Sequence, residues 1–336
     1  MQQTLSLLVA VVAGAACGGY PARDASVAWR KVPGSGPEPR WGHTAVYDAR
    51  RDEVLVFGGT GAAGRLGDVW ALSLQNESWR RLELQGGPTA RYTSGAVIDA
   101  ARDQMLVFGG DEGKLSDELW ALELATGTWR KLPTGPSPRF DVSMTSDGMR
   151  AWVYGGFGKS FPQQPGAALD DLWELDFAAQ TWRELPKGIV NPSPRTNSAI
   201  GLHDGALYVT GGHDELFPTR ETWRFLLAEQ KWEKLKPTGA PAAGAHFAYA
   251  TDAQCGVLWL SGGDNVDYHD VAFTESLVLG DAASFSRLEA GAFPPPRRHF
   301  VVAFDPAKRR LVLFGGWQGQ NALLGDTWIL EGVPCP

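Results

Sequence analysis

The sequence predicts an all-β chain of six repeats closed into a ring, and three observations predict it. An apolar run ending in two glycines, first seen as Val54-Leu55-Val56-Phe57-Gly58-Gly59, returns at 105–110, 151–156, 206–212, 257–263 and 311–316. A spacing of about fifty residues marks a repeat architecture. Around these runs the same partners recur in the same order: an arginine before, then an acid two residues ahead of a tryptophan, then a second tryptophan. Finally, the last repeat stops one strand short, and a matching strand stands near the beginning of the chain.

The first repeat opens with Pro39-Arg40-Trp41-Gly42-His43-Thr44-Ala45-Val46-Tyr47, read as a strand of small and apolar residues, followed by the polar turn Asp48-Ala49-Arg50-Arg51-Asp52. The run that follows lacks polar alternation, which predicts burial of both faces. Its glycines suit positive φ and close backbone approach at a strand end. A glycine-rich loop leads to a third strand, Gly67-Asp68-Val69-Trp70-Ala71-Leu72, and a fourth carries Trp79-Arg80-Arg81-Leu82. The second repeat has Arg91, either Asp117 or Glu118 ahead of Trp120, and Trp129. The third has Arg139, Asp171, Trp173 and Trp182, and the fourth Arg195, Glu221, Trp223 and Trp232. The fifth is degenerate, with Gly244 in the arginine position, Leu277 in that of the first tryptophan and Phe285 in that of the second. The sixth has Arg297, Asp326 and Trp328 and then ends. Its missing strand is supplied by Val27-Ala28-Trp29-Arg30-Lys31-Val32. Such closure removes an exposed sheet edge.

The 336 residues suffice for one large all-β domain or two smaller ones. A net charge of -7 argues against nucleic acid as a partner, because a phosphate-binding face needs a basic excess. Residues 4–16 form an uncharged apolar run, too short to span a bilayer and suited to the core of an export signal. Gly14-Ala15-Ala16-Cys17 resembles the lipobox of bacterial lipoproteins, which implies acylation of Cys17; ordinary signal cleavage nearby is the other reading. The expected organisation is a signal peptide with a lipobox-like cysteine at 1–17, a linker at 18–25 and the repeat domain at 26–336. The chain is then exported to the bacterial cell envelope and anchored in a membrane by lipid. Cys255 and Cys335 remain as a candidate disulfide in an oxidising compartment, or as two free thiols.

The double glycine, the acid paired with a tryptophan and the later tryptophan together resemble the kelch repeat, over residues 26–333. The resemblance implies a six-bladed β-propeller of four-stranded antiparallel blades, with the motif tryptophans packed between blades. It also implies an orientation: the first strand of each blade lines the central channel, and the double glycines point to the upper face. Cys255 and Cys335 then fall on the lower face in neighbouring blades. Arg40, Arg91, Arg139, Arg195 and Arg297 would share the top of the innermost strand, and some kelch propellers bind acidic segments through arginines there. A planar guanidinium suits carboxylates, although each arginine is equally able to pair with a local acid or with loop carbonyls.

The residues just past the glycines, Thr60, Asp111, Phe157, His213, Asp264 and Trp317, differ between repeats, and varied loops on a repeated frame are where binding sites are built. The ligand-binding candidates are therefore the five arginines with Asp111, Phe157, His213, Asp264 and Trp317. Galactose oxidase resembles the chain in its propeller, with His213, Tyr268 and His269 as possible copper ligands, but no cysteine lies near them to form the crosslink. His213, Asp264 and His269 have no metal-motif spacing. Sialic acid mutarotases are also exported kelch propellers, and Arg195 or Arg297 with His213 or Glu215 would supply the groups for ring opening. No catalytic motif, metal site or cofactor is called for. The expected function is non-catalytic binding of a protein or glycan with acidic groups at the upper mouth, with a carbohydrate-active propeller of the mutarotase kind as the alternative.

Overall fold

The computed structural model describes residues 27–158, 167–214, 217–239, 241, 244–265, 267, 269–289, 293–319 and 322–335. The signal segment, Cys17, the linker, Glu215 and Tyr268 lie outside the described residues. Among the described residues every regular element is a strand, and the strands include six four-stranded antiparallel sheets. The innermost strands are Thr44–Asp48, Gly95–Asp99, Ser143–Ser146, Ala199–His203, Ala248–Asp252 and Val301–Asp305. Each touches the next in chain order and the sixth touches the first, so the sheets close into a ring around a central channel. The sheets are numbered here as blades one to six, beginning with Thr44–Asp48.

The second strands are the predicted apolar runs, and Glu53–Phe57, Gln104–Phe108, Ala206–Thr210 and Val257–Ser261 are buried along their whole length. Their glycines are required by geometry. Gly58 and Gly59 have φ of 68° and 94°. A Cβ on Gly58 would stand 2.6 Å from the carbonyl oxygen of Arg91 in the next blade. At the opposite, lower end, the turns between first and second strands are fixed by acids: the carboxylates of Asp48, Asp99, Asp252 and Asp305 accept the N–H groups of Arg50, Arg102, Cys255 and Ala307.

Neighbouring blades are glued by the tryptophans of the fourth strands. Trp79, Trp129, Trp182 and Trp232 stack on Phe314, Phe57, Phe108 and Tyr154, each on the second strand of the preceding blade, with ring centroids 5.0–5.6 Å apart. Tilted aromatic pairs at this spacing are worth about 0.5–1.5 kcal/mol beyond their buried area. The apolar core is accordingly split into six clusters, one at each junction between blades.

The ring closes as the missing strand implied. Trp29–Lys31 pairs antiparallel with Ala322–Leu330, in the register Trp29 to Leu330 and Lys31 to Trp328. The Trp29 indole N–H donates to Thr274 Oγ1 of blade five. On the lower face Cys255 and Cys335 are joined by a disulfide with a Cα separation of 5.5 Å. Arg309 sits beside it, donating to the carbonyl oxygens of Val333 and Pro334 and pairing with Asp252. The bond encloses a sequence separation of 80 residues and staples the last blade to the fifth. Reduction should lower the unfolding free energy by about 2–4 kcal/mol. Urea midpoints with and without reductant check this; coincident curves contradict it.

Candidate functional site

The upper mouth is built from the segment that leads into each first strand and from the residue after each double glycine. The five arginines lie four residues before their strands, and all five side chains are buried, at 0–1% exposure. This corrects the expectation that they top the innermost strand and meet a ligand. In blade three the Arg139 Nη1 donates to the Gly155 carbonyl oxygen at 3.0 Å and to Asp171 at 2.7 Å, Nη2 also reaches Asp171, and Nε reaches the Ser137 carbonyl oxygen. Arg40, Arg91, Arg195 and Arg297 repeat the pattern on Gly58 with Asp68, Gly109 with Glu118, Gly211 with Glu221, and Gly315 with Asp326. The same acids accept the indole N–H of Trp70, Trp120, Trp173, Trp223 and Trp328. The acid of the second repeat is therefore Glu118. Burial raises the pKa of Glu118 and Glu221, but hydrogen bonds from lysine, tryptophan and arginine outweigh it and hold both down to about 2. With every guanidinium spent in this way, the arginines anchor the loops and leave neither an acidic peptide nor a sugar carboxylate a partner among them.

The fifth blade also differs from its expected alignment. Register places Glu275, not Leu277, in the position of the first tryptophan, since Glu275 faces Leu260 as Trp70 faces Val56. Leu277 instead takes the place of Leu72.

Two residues beyond each arginine position the backbone turns left-handed. Gly42, Thr93, Asp141, Asn197, His246 and His299 have φ between 52° and 63°. For non-glycine residues this conformation costs of order 1–2 kcal/mol each, and it persists only where the surroundings impose it. All six line the channel as an annulus, and across four blades backbone bonds hold it: the Thr93 N–H donates to the Gly42 carbonyl oxygen, Gly42 to His299 and His299 to His246. None of these residues except Gly42, named only as part of a strand, was drawn from the sequence. The usable signal was a position that varies among Gly, Thr, Asp, Asn and His, several of which tolerate positive φ.

Above the annulus lies a rim of rings. Trp41 packs against Tyr92 at 5.1 Å and Trp317 at 5.5 Å; Phe140 packs against Phe157 at 5.3 Å, and Tyr92 lies 6.3 Å from Phe140. The arc continues from Trp41 through His299, His246 and His213. Phe157 and Trp317 thus join one surface, with Trp41, Tyr92 and Phe140 as members that the sequence reading passed over. Asp111 accepts from Arg65, Tyr92 and the Gly113 N–H. His213 is held through Nδ1 by the Asp214 carbonyl oxygen. Asp264 is fully buried and taken by His246 and Arg298, so it is a positioning group and not an open ligand. His269 is exposed. Among the described residues no three His, Cys, Asp or Glu side chains converge as a metal-binding group.

Below the rim the channel holds a cavity of about 190 Å³, lined by His43, Thr93, Asp141, Asn197, His246 and His299 among others. Burial, then the charge of Arg40, pushes the His43 pKa down to about 3. Neutral His43 donates Nε2–H to the Phe314 carbonyl oxygen, and its Nδ1 has no partner. His299 is also held well below the usual range by burial and by His246 and Arg298. Burial pushes the Asp141 carboxyl up to about 6, against the pull of His246, of the Asn197 amide, which donates to Oδ2 at 3.0 Å, and of the Thr93 hydroxyl.

The anchoring role of the arginines is open to a direct check. Arg139→Met leaves Asp171 and the Gly155 carbonyl without their donor and should cost about 3–5 kcal/mol, the usual penalty for breaking one side of a buried pair. Urea unfolding measures it, and a wild-type midpoint in the variant contradicts it.

Comparison with known proteins follows the same lines. The family model described as the KLHDC2/KLHL20/DRC7 Kelch-repeats domain matches residues 76–263. Kelch domain-containing protein 10 of Xenopus tropicalis is 25% identical over 249 residues, covering 70% of this chain and 59% of that protein. The leucine-zipper-like transcriptional regulator 1 homolog of Drosophila melanogaster is 27% identical over 71% of this chain, and covers 25% of its own length. Adagio-like protein 1 of Oryza sativa subsp. japonica is 30% identical over 65% of this chain and 36% of its own length. The match therefore spans less than two thirds of each of these relatives. With six repeated sheets, six double glycines and five acid–tryptophan pairs in register, the chain belongs to the kelch-repeat family.

Proposed function

We propose that the propeller is a non-catalytic protein-binding module whose contact surface is the upper mouth. The observation that carries the reading is the arc of partly exposed rings, Trp317, Trp41, Tyr92, Phe140 and Phe157, around an open cavity. Aromatic side chains are enriched where proteins bind one another. Kelch domains generally mediate protein binding, which supports the reading. The cavity, at about 190 Å³, falls below the roughly 300 Å³ at which small-molecule pockets begin, which favours an inserted side chain over a sugar. A mutarotase-like role needs a free cation, and Arg195 and Arg297 are paired with Glu221 and Asp326.

The experiment is affinity capture from envelope extract with the wild-type propeller, with Trp41→Ala and Phe157→Ala, and with the lower-face control Arg50→Ala. Specific partners should fall at least tenfold in the mouth variants, at unchanged fold by thermal midpoint, and should persist in the control. Equal capture by all four proteins contradicts the reading.

The module acts, on this reading, as an exported protein anchored through Cys17. The apolar run at 4–16 supports this, and so does the bond between Cys255 and Cys335, since such bonds persist in oxidising compartments. Metabolic labelling with an alkynyl palmitate should mark the wild-type protein and not Cys17→Ser, which should leave the membrane fraction. Unchanged labelling and fractionation of the variant contradicts the anchor.

A further inference from the structure

Resting on the reading of the mouth as a peptide-contact surface, we infer that the group it draws into the channel is the cationic side chain of a partner's lysine or arginine. This reverses the sign expected from the arginine positions. The reversal comes from following each charge at the mouth to its partner.

Among the described residues, the motif arginines of the mouth and Arg65 and Arg298 on its rim are matched within the chain. The five motif arginines are buried on their acids. Arg65 reaches the rim, but pairs with Asp111 and lies over the Tyr92 ring at 5.6 Å. Arg298 pairs with Asp264 and Asp270 and lies over the Trp317 ring, also at 5.6 Å. These two contacts show, within the molecule, a guanidinium settled on the rings of this rim. Of the carboxylates at the mouth, Asp111, Glu112, Asp264 and Asp270 each have an arginine.

Asp141 stands apart. Its carboxylate lines the cavity and is held by the neutral amide of Asn197. His246, which faces it, turns Nδ1 to Asp264. Two other polar atoms of the cavity-lining residues have no hydrogen-bond partner: His43 Nδ1, a lone pair on a neutral ring, and the Thr93 hydroxyl. Among the described residues, the throat therefore presents a carboxylate with no arginine or lysine of its own, a bare imidazole lone pair and a hydroxyl that accepts as well as donates. Lysine brings three N–H donors and arginine five, with no acceptor on either. An acidic side chain would place a second carboxylate beside the first.

The raised position of Asp141 fits this account, since its carboxyl is kept near 6 by burial without a cation of its own. An incoming cation stabilises the ionised form, so affinity should rise as pH climbs from 5 to 7 and level off above. The titratable groups that bear on Asp141 are His246 of blade five and Tyr92 of blade two, and His43 and His299 line the same cavity. The pH profile is read in wild type and in Asp141→Asn.

The test uses the whole propeller. Random decapeptides displayed on phage are panned on it, and enriched sequences are synthesised and titrated by fluorescence anisotropy. The expected result is enrichment of lysine or arginine at one position, with binding lost when that residue becomes glutamine. Asp141→Asn, an isosteric change that also tolerates positive φ, should weaken the peptides about tenfold or more and flatten the pH profile. Asp147→Asn on the lower face should leave affinity unchanged. Acidic consensus peptides, basic peptides indifferent to Asp141→Asn, or a pH profile that survives in that variant all overturn the inference. If such peptides still weaken in Trp41→Ala, the mouth remains the binding surface and only its charge preference is refuted. Absence of any peptide sensitive to Trp41→Ala refutes both.

Discussion

The carbonyl and amide groups of the double glycines impose the constraint on which the rest of the structure depends. These backbones are buried at the end of a buried strand, where an unpaired polar group costs several times what a hydrogen bond contributes. The second glycine gives its N–H to the next blade: Gly59 to Arg91, Gly110 to Arg139, Gly156 to Arg195, Gly212 to Gly244, Gly263 to Arg297 and Gly316 to Arg40. The arginine whose carbonyl accepts that bond returns its side chain to the first glycine of its own blade. Backbone and side chain of one residue thus bolt two blades together. The acid and the tryptophan complete the unit: the acid neutralises the guanidinium, and the indole N–H donates to a carboxylate oxygen that the arginine also reaches.

Blade five shows that this is one unit. Its arginine, acid and first tryptophan positions hold Gly244, Phe273 and Glu275, so all three members are absent together. A buried arginine without its acid, or an acid without its arginine, would be an uncompensated charge, whereas losing both is tolerable. Packing explains the choice of Gly244, because a Cβ there would stand 2.5 Å from Pro218. Phe273 is buried in the apolar cluster shared with blade four. The same blade supplies His246 and Asp264 to the mouth, so the junction without an arginine lies beside the polar half of the rim.

The fold was legible because its signals are local and repeated. Glycine pairs, apolar runs and the orphan strand at Trp29 each state a backbone requirement that only a few arrangements satisfy. The site was misread because residue type alone does not report burial. An arginine repeated at one position looks like a charged ring until its partner acid is seen to fold back on it, some 27–32 residues later in four of the five blades. The conserved pattern marked scaffold, and the residues that face the channel were the irregular ones between Arg and strand. Trp41, Tyr92 and Phe140, directly after three of the arginines, were visible in the sequence. Trp41 reads as strand and Tyr92 and Phe140 go unread, because the left-handed turn that follows them has no single residue type to mark it.

The central claim is that the arginine fastens each blade to its neighbour, and the fourth and fifth blades meet without one. Native-state hydrogen exchange of the six second-glycine amides measures the strength of every junction in one molecule. The Gly212 amide, bonded to Gly244, should exchange with a clearly lower opening free energy than those of Gly59, Gly110, Gly156, Gly263 and Gly316. Equal protection at all six would contradict the account, because the ring would then be held without help from the guanidinium groups.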